Sequence, residues 1–164
     1  MPTAPQWHLA QFNIARMRAP LTDPQMGGFV AELEPVNALA DQSPGFVWRL
    51  KSEEGDATAI RPYDDESILI NLSVWDSLAA LKSFVYRTHH GQVMRQREKW
   101  FERMNEILIA LWWITAGTTP TVQEAKERLD YLRAHGESPF AFSIKKPFLP
   151  PDDQEQGPSL GKTE

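Results

Sequence analysis

The chain has 164 residues, the length of one domain, and 41% of them are hydrophobic, which supports a real core and excludes a disordered or fibrous chain. A formal net charge of −5 excludes a general nucleic-acid binder, whose affinity rests on Lys and Arg neutralising phosphates. No cysteine is present, which removes disulfides, thiolate nucleophiles and sulfur-ligated zinc, while six Trp and eight Phe supply aromatics for core, pocket or interface.

Met1 to Gln6 has no basic region ahead of an apolar stretch, so no secretory signal is expected. From Trp7 to Arg16 the residues alternate, with Ala10, Phe12 and Ile14 on one side and Gln11, Asn13 and Ala15 on the other, the period of a half-buried strand. Asp23-Pro24 reads as a helix cap followed by proline at the first helical position. Phe29, Val30, Leu33, Val36, Leu39 and Ala40 then carry one apolar stripe to about Asp41. Pro35 lies inside that stripe and is expected to kink or split the helix. Ser43-Pro44-Gly45 is a turn, after which Phe46, Trp48 and Leu50 share one face of a strand; Lys51 to Asp65 reads as a long polar loop.

Ile68 to Trp75 is apolar on both faces and so reads as a central strand covered on both sides. Asp76 or Ser77 caps a helix with Leu78, Leu81, Phe84 and Val85 as its stripe; Thr88 to Gly91 interrupts it, and a second helical stretch is expected from Val93 to Glu106. Ile107 to Thr115 is a buried strand. With Ala116 its apolar run reaches ten residues, half of the ~20 a membrane helix needs, so a cytoplasmic protein without membrane contact is expected. Thr121-Val122-Gln123-Glu124 has the pattern of a capping box, and Ala125, Leu129 and Leu132 follow in a helix ending at Gly136. Phe140 to Ile144 reads as a short last strand. The domain is expected over 7–146 and a disordered tail over 147–164.

The order β-α-β-β-α-β with an α-β extension is the split βαβ arrangement of a ferredoxin-like α+β domain. Two helices on one face of the sheet leave the other bare, and Leu69, Trp75 and one of Trp112 and Trp113 are assigned to that bare side. So large an apolar face exceeds what monomers expose, and a homodimer packing sheet against sheet is expected.

The segment Leu72-Ser73-Val74-Trp75-Asp76-Ser77-Leu78-Ala79-Ala80-Leu81, a strand ending in Trp followed by a capped helix, resembles the dimeric α+β barrel superfamily. That group includes the antibiotic-biosynthesis monooxygenases and the haem-degrading monooxygenases. Phe12-Asn13-Ile14-Ala15-Arg16, Ser43 to Leu50 and Trp112-Trp113 are similar to an uncharacterised bacterial family of unknown function within it, over about Trp7 to Ile144. The resemblance implies a dimeric barrel and a small monooxygenase-like protein that acts on or binds a small aromatic or apolar molecule without a cofactor. For haem-degrading members it implies an Asn on the first strand, a Trp on the helix after the central strand and a His beyond it. Asn13 matches the first, Phe84 stands at the second and Met94 near the third. Haem is therefore a lesser alternative; a non-catalytic homodimer that binds a ligand or serves a structural purpose is the other.

Asn13, Asn71, His89 and His90 are the candidate catalytic residues, and Trp48, Trp75, Phe84 and Trp112 the candidate substrate-binding ones. Asn13 and Asn71 interrupt apolar strands, and a buried amide without a partner costs roughly 1–3 kcal/mol. Either they bond to each other or to backbone, or they face a wet cavity where a ligand oxygen sits. One of the histidines is a candidate general base, its ordinary pKa suiting proton transfer near neutrality; the alternative is a polar helix break. Adjacent histidines on a helix point apart, so no metal site is expected. The four aromatics line a pocket or, alternatively, fill core or interface. Arg87, Arg95, Arg97, Lys99 and Arg103, interspersed with Glu98 and Glu102, read as a solvated face with weak ion pairs.

Overall fold

The computed structural model describes residues 6–51, 58, 60, 62–87 and 96–151. Four strands, β1 (Trp7–Arg16), β2 (Phe46–Arg49), β3 (Ile68–Trp75) and β4 (Ile109–Thr115), form one antiparallel sheet in the order β2-β3-β1-β4. Helix α1 (Gly27–Gln42) connects β1 to β2, and α2 (Leu78–Arg87) leads from β3 toward β4. Each of these two connections joins strands separated by a third, which is the ferredoxin-like βαββαβ layout expected from the element order. Helix α3 (Val122–His135) follows as the extension. Among the described residues no helix is long and apolar enough to cross a membrane.

Local chemistry sets the boundaries. Asp23 accepts from the Gln25 N–H at 2.8 Å and caps a 3-10 turn, Pro24–Met26, from which α1 departs. Pro35 neither ends nor splits α1, which runs unbroken around it. Phe29 and Leu33 before it, and Val36, Leu39 and Ala40 after it, all pack toward one side of the sheet, so breaking the helix there would uncover one group or the other. Gly45 takes a φ of +85°, and a Cβ there would strike Ala80 and the Asp76 carboxylate. Ser77, rather than Asp76, supplies the first bond of α2, its hydroxyl accepting from the Ala80 N–H at 3.1 Å. Thr121 Oγ1 accepts from the Glu124 N–H at 3.0 Å to open α3, and Gly136 closes it at a φ of +82°.

The sheet is covered on both faces by its own chain. On one face Ala10, Phe12 and Ile14 of β1, Ile70, Leu72 and Val74 of β3, and Ala110, Trp112 and Ile114 of β4 pack beneath Ala125, Leu129 and Leu132 of α3. On the other, Leu9, Trp75 and Leu111 meet Ala40 of α1 and Leu81 and Phe84 of α2. This corrects two expectations. Leu69 and Trp75 lie on the α1–α2 side rather than on a bare side, and the face opposite is not bare, because α3 closes it. The reasoning that required a second copy to shield that face thus loses its premise.

Two further expectations are corrected. Phe46, Trp48 and Leu50 do not share a face: a register shift between Phe46 and Trp48 sends Phe46 to the Trp75 side while Trp48 and Leu50 join the α3 side. The helix expected up to Glu106 is absent from 96–106, which holds only a 3-10 turn, Arg97–Lys99. There the backbone docks on the end of β1 instead, the Arg18 N–H donating to the Trp100 carbonyl at 2.8 Å and the Glu102 N–H to that of Arg16 at 2.9 Å. The expected last strand is reduced to Phe142 bridging Leu111 at the edge of β4. Beyond it Phe148 still packs, its carbonyl accepting from the Trp113 indole at 2.8 Å. His89, His90, Val93, Met94 and the residues after 151 lie outside the described residues.

Candidate functional site

A cavity of about 530 Å³ lies between the sheet and the α1–α2 layer. Its floor is two facing rows of the central strands. Gln11, Asn13 and Ala15 of β1 stand opposite Ser73, Asn71 and Leu69 of β3, each pair in direct register. Trp75, Phe46 and Phe84 wall one end, where the Trp75 ring lies 5.4 Å from Phe46 and 5.2 Å from Phe84. Phe29, Trp100 and Phe101 wall the other. A Cβ at Gly28 would come within 3.2 Å of the Trp100 indole, so α1 approaches that wall closely because its second residue lacks a side chain. Asn71, in the middle of a strand otherwise buried, is exposed, which means that the cavity admits solvent to the centre of the sheet.

The polar floor is a chain of hydrogen bonds with one direction. The Trp75 Nε1–H donates to Ser73 Oγ at 3.0 Å, the Ser73 hydroxyl donates to Gln11 Oε1 at 2.8 Å, and the Gln11 Nε2–H donates to Asn13 Oδ1 at 2.6 Å. An indole nitrogen can only donate. Ser73 therefore passes its own proton onward, the Gln11 carboxamide turns its nitrogen toward Asn13, and Asn13 spends its carbonyl on that bond. What remains at the cavity is the Asn13 amide N–H pair. Asn71 makes no side-chain hydrogen bond among the described residues, and its whole carboxamide is left for a ligand or solvent.

Of the sequence candidates, Asn13, Asn71, Trp75 and Phe84 are brought together around this space. Trp48 and Trp112 pack on the opposite face, in the core under α3. His89 and His90 lie outside the described residues. The sequence pattern singles out neither Gln11 nor Ser73 as a site residue, although the alternation that puts Gln11 beside Asn13 and Ser73 beside Asn71 contains the signal. Two arginines also reach the cavity. Arg49 is clamped by Asp41, Nε to Oδ1 at 2.8 Å and Nη2 to Oδ2 at 3.3 Å. Arg97, expected on a solvated face, turns inward, half-buried, with its guanidinium carbon 5.9 Å from the Phe101 ring centroid. Among the described residues no group of three or more His, Asp or Glu is placed to hold a metal ion.

No curated protein matches the sequence. Solved structures similar to the chain include the Pseudomonas aeruginosa protein PA3566, at 13% identity and a TM-score of 0.47 over 71% of this chain and 100% of that one. A variant of SnoaB, a cofactor-independent oxygenase from Streptomyces nogalater, is similar at 13% identity and a TM-score of 0.46 over 68% of this chain and 95% of that one. A dabb family protein with a ferredoxin-like fold from Mesorhizobium loti follows at 12% identity and 0.42, over 70% and 100%. Likenesses this distant carry no chemistry to this chain. Residues 8–158 match the model of the family described as Domain of unknown function (DUF3291), the kind of family that Phe12 to Arg16, Ser43 to Leu50 and Trp112-Trp113 resemble, and the chain belongs to it.

Proposed function

We propose that the chain binds a small planar aromatic molecule in this cavity and oxidises it as a cofactor-independent monooxygenase does. One observation carries the binding: the Asn13 N–H pair, held by the Trp75-Ser73-Gln11 chain, opens into a mostly apolar space of about 530 Å³. Aromatic walls hold a ring system, and the carboxamide donates to its phenolic oxygen. As the phenol loses its proton that hydrogen bond strengthens, because the acceptor becomes charged.

The oxygenase chemistry is supported by the resemblance of the Leu72 to Leu81 segment to the antibiotic-biosynthesis monooxygenases. Its balance needs no outside reductant. A phenol and O2 give a quinone and water: one oxygen atom becomes the new carbonyl, and the other leaves with the ring C–H and the O–H hydrogens. Binding without turnover is the second reading, favoured by the absence of a histidine among the described lining residues. Haem is the lesser alternative, since Phe84 stands where the haem-degrading pattern has Trp.

Oxygen uptake and quinone absorbance with a panel of naphthols under air test the proposal. Asn13→Ala and Asn71→Ala are each expected to lower turnover by about 10–100-fold with the fold intact. Turnover untouched by both substitutions sinks the catalytic reading, and binding without turnover supports the second.

A further inference from the structure

We propose that the ligand of this cavity is an organic anion, an aromatic acid whose carboxylate pairs with Arg97 while a second oxygen acceptor meets the Asn13 carboxamide. The inference rests on the cavity reading above and adds the ligand's charge. Arg97 stands half-buried at the Phe101 end of the space. Among the described residues, its guanidinium stacks near Phe101 and has no oxygen partner. Each of the other six arginines with a described side chain has one: a carboxylate for Arg16, Arg49, Arg103, Arg128 and Arg133, and a backbone carbonyl for Arg18.

A guanidinium that gives up water against an aromatic wall is compensated by an anion, and its planar fork matches a carboxylate. Glu32, the only acidic residue among the described lining residues, is engaged in an interaction of its own, and Arg49 is already held by Asp41. Asn71 offers both a donor and an acceptor, while two other polar groups of the lining turn donors to the space. Asn13 offers N–H groups because its carbonyl is taken by Gln11, and Arg97 offers only N–H groups. The floor at Asn13 and the Trp100–Phe101 end at Arg97 both donate, so a ligand that spans them accepts at both points. Ala15, one strand repeat beyond Asn13 (roughly 7 Å), already packs with Trp100 and Phe101 beside Arg97.

The probes are 6-hydroxy-2-naphthoate and its methyl ester, titrated calorimetrically into the full chain. The acid is expected to bind about tenfold or more tightly than the ester. Arg97→Gln should abolish that preference by weakening the acid alone, while Arg97→Lys, which keeps the charge, retains part of it. Arg103→Gln, at an exposed arginine of the same segment, should leave it intact. Equal affinities for acid and ester in the unsubstituted protein overturn the anion inference and leave the cavity reading standing. A preference that survives Arg97→Gln overturns the assignment to Arg97. Failure of both probes to bind overturns this inference together with the cavity reading.

Discussion

Asn13 stands directly across from Asn71 in the β1–β3 register, yet Gln11, two residues away on its own strand, is the residue that bonds to it. The facing pair is therefore asymmetric: one carboxamide is oriented by a chain of three hydrogen bonds, and the other is left unengaged among the described residues. Substitutions that look alike in the sequence should then have different effects.

Asn71→Ala removes a side chain with no structural bond and should change stability by no more than about 0.5 kcal/mol. Ser73→Ala strands the Trp75 indole N–H and the Gln11 carbonyl, and should cost about 1–3 kcal/mol. Urea unfolding of the two variants beside the unsubstituted chain measures the contrast.

Trp75→Phe keeps a ring between Phe46 and Phe84 but deletes the donor that gives the floor its direction. A cost of about 1 kcal/mol in stability is expected. The stronger effect should appear in binding, where the released Gln11 and Asn13 amides are free to turn and the preference for oxygen-acceptor ligands over donor ligands shrinks. Calorimetric titration with 2-naphthol and 2-naphthylamine reads that preference.

Leu129 is fully buried where α3 closes the second face of the sheet. Leu129→Ala should cost about 2–5 kcal/mol through lost transfer energy and the cavity left behind. Tyr131→Ala, on the exposed side of the same helix, should cost far less. Thermal unfolding of both variants separates a helix that carries core from one merely attached.

Tyr63 supplies a pH test. Its hydroxyl is buried beside α3 with no hydrogen-bond partner among the described residues, and burial, with the Asp130 carboxylate nearby, raises its pKa above the ordinary 10.0 against the opposing Arg133 charge. A raised value in the folded state means that the folded chain holds this proton more tightly. The stability tied to that proton is complete below the ordinary value and declines as pH rises through it toward the folded one. Tyr63→Phe should remove that alkaline decline and, by deleting an unpartnered buried hydroxyl, leave stability at pH 7 equal or higher. Denaturant midpoints at pH 7 and above pH 10 check both.

The strands, the α3 cap and the split βαβ order were legible in the sequence because each rests on local periodicity or on a capping side chain within one turn. The alternation of β1 even placed Gln11, Asn13 and Ala15 together, so half of the cavity floor was readable. Which layer each face meets was not readable, because α3 lies far along the chain from β1 and β3, two of the three strands it covers, and periodicity carries no information about a distant partner. Trp75 and Trp112 are both strand tryptophans, and only the packing assigns one to a cavity and the other to a closed core. The same holds for Arg97. Its sequence neighbourhood is a charged helix, but the end of β1 takes the backbone of 100–102, the helix does not form there, and a residue patterned for solvent faces the cavity instead.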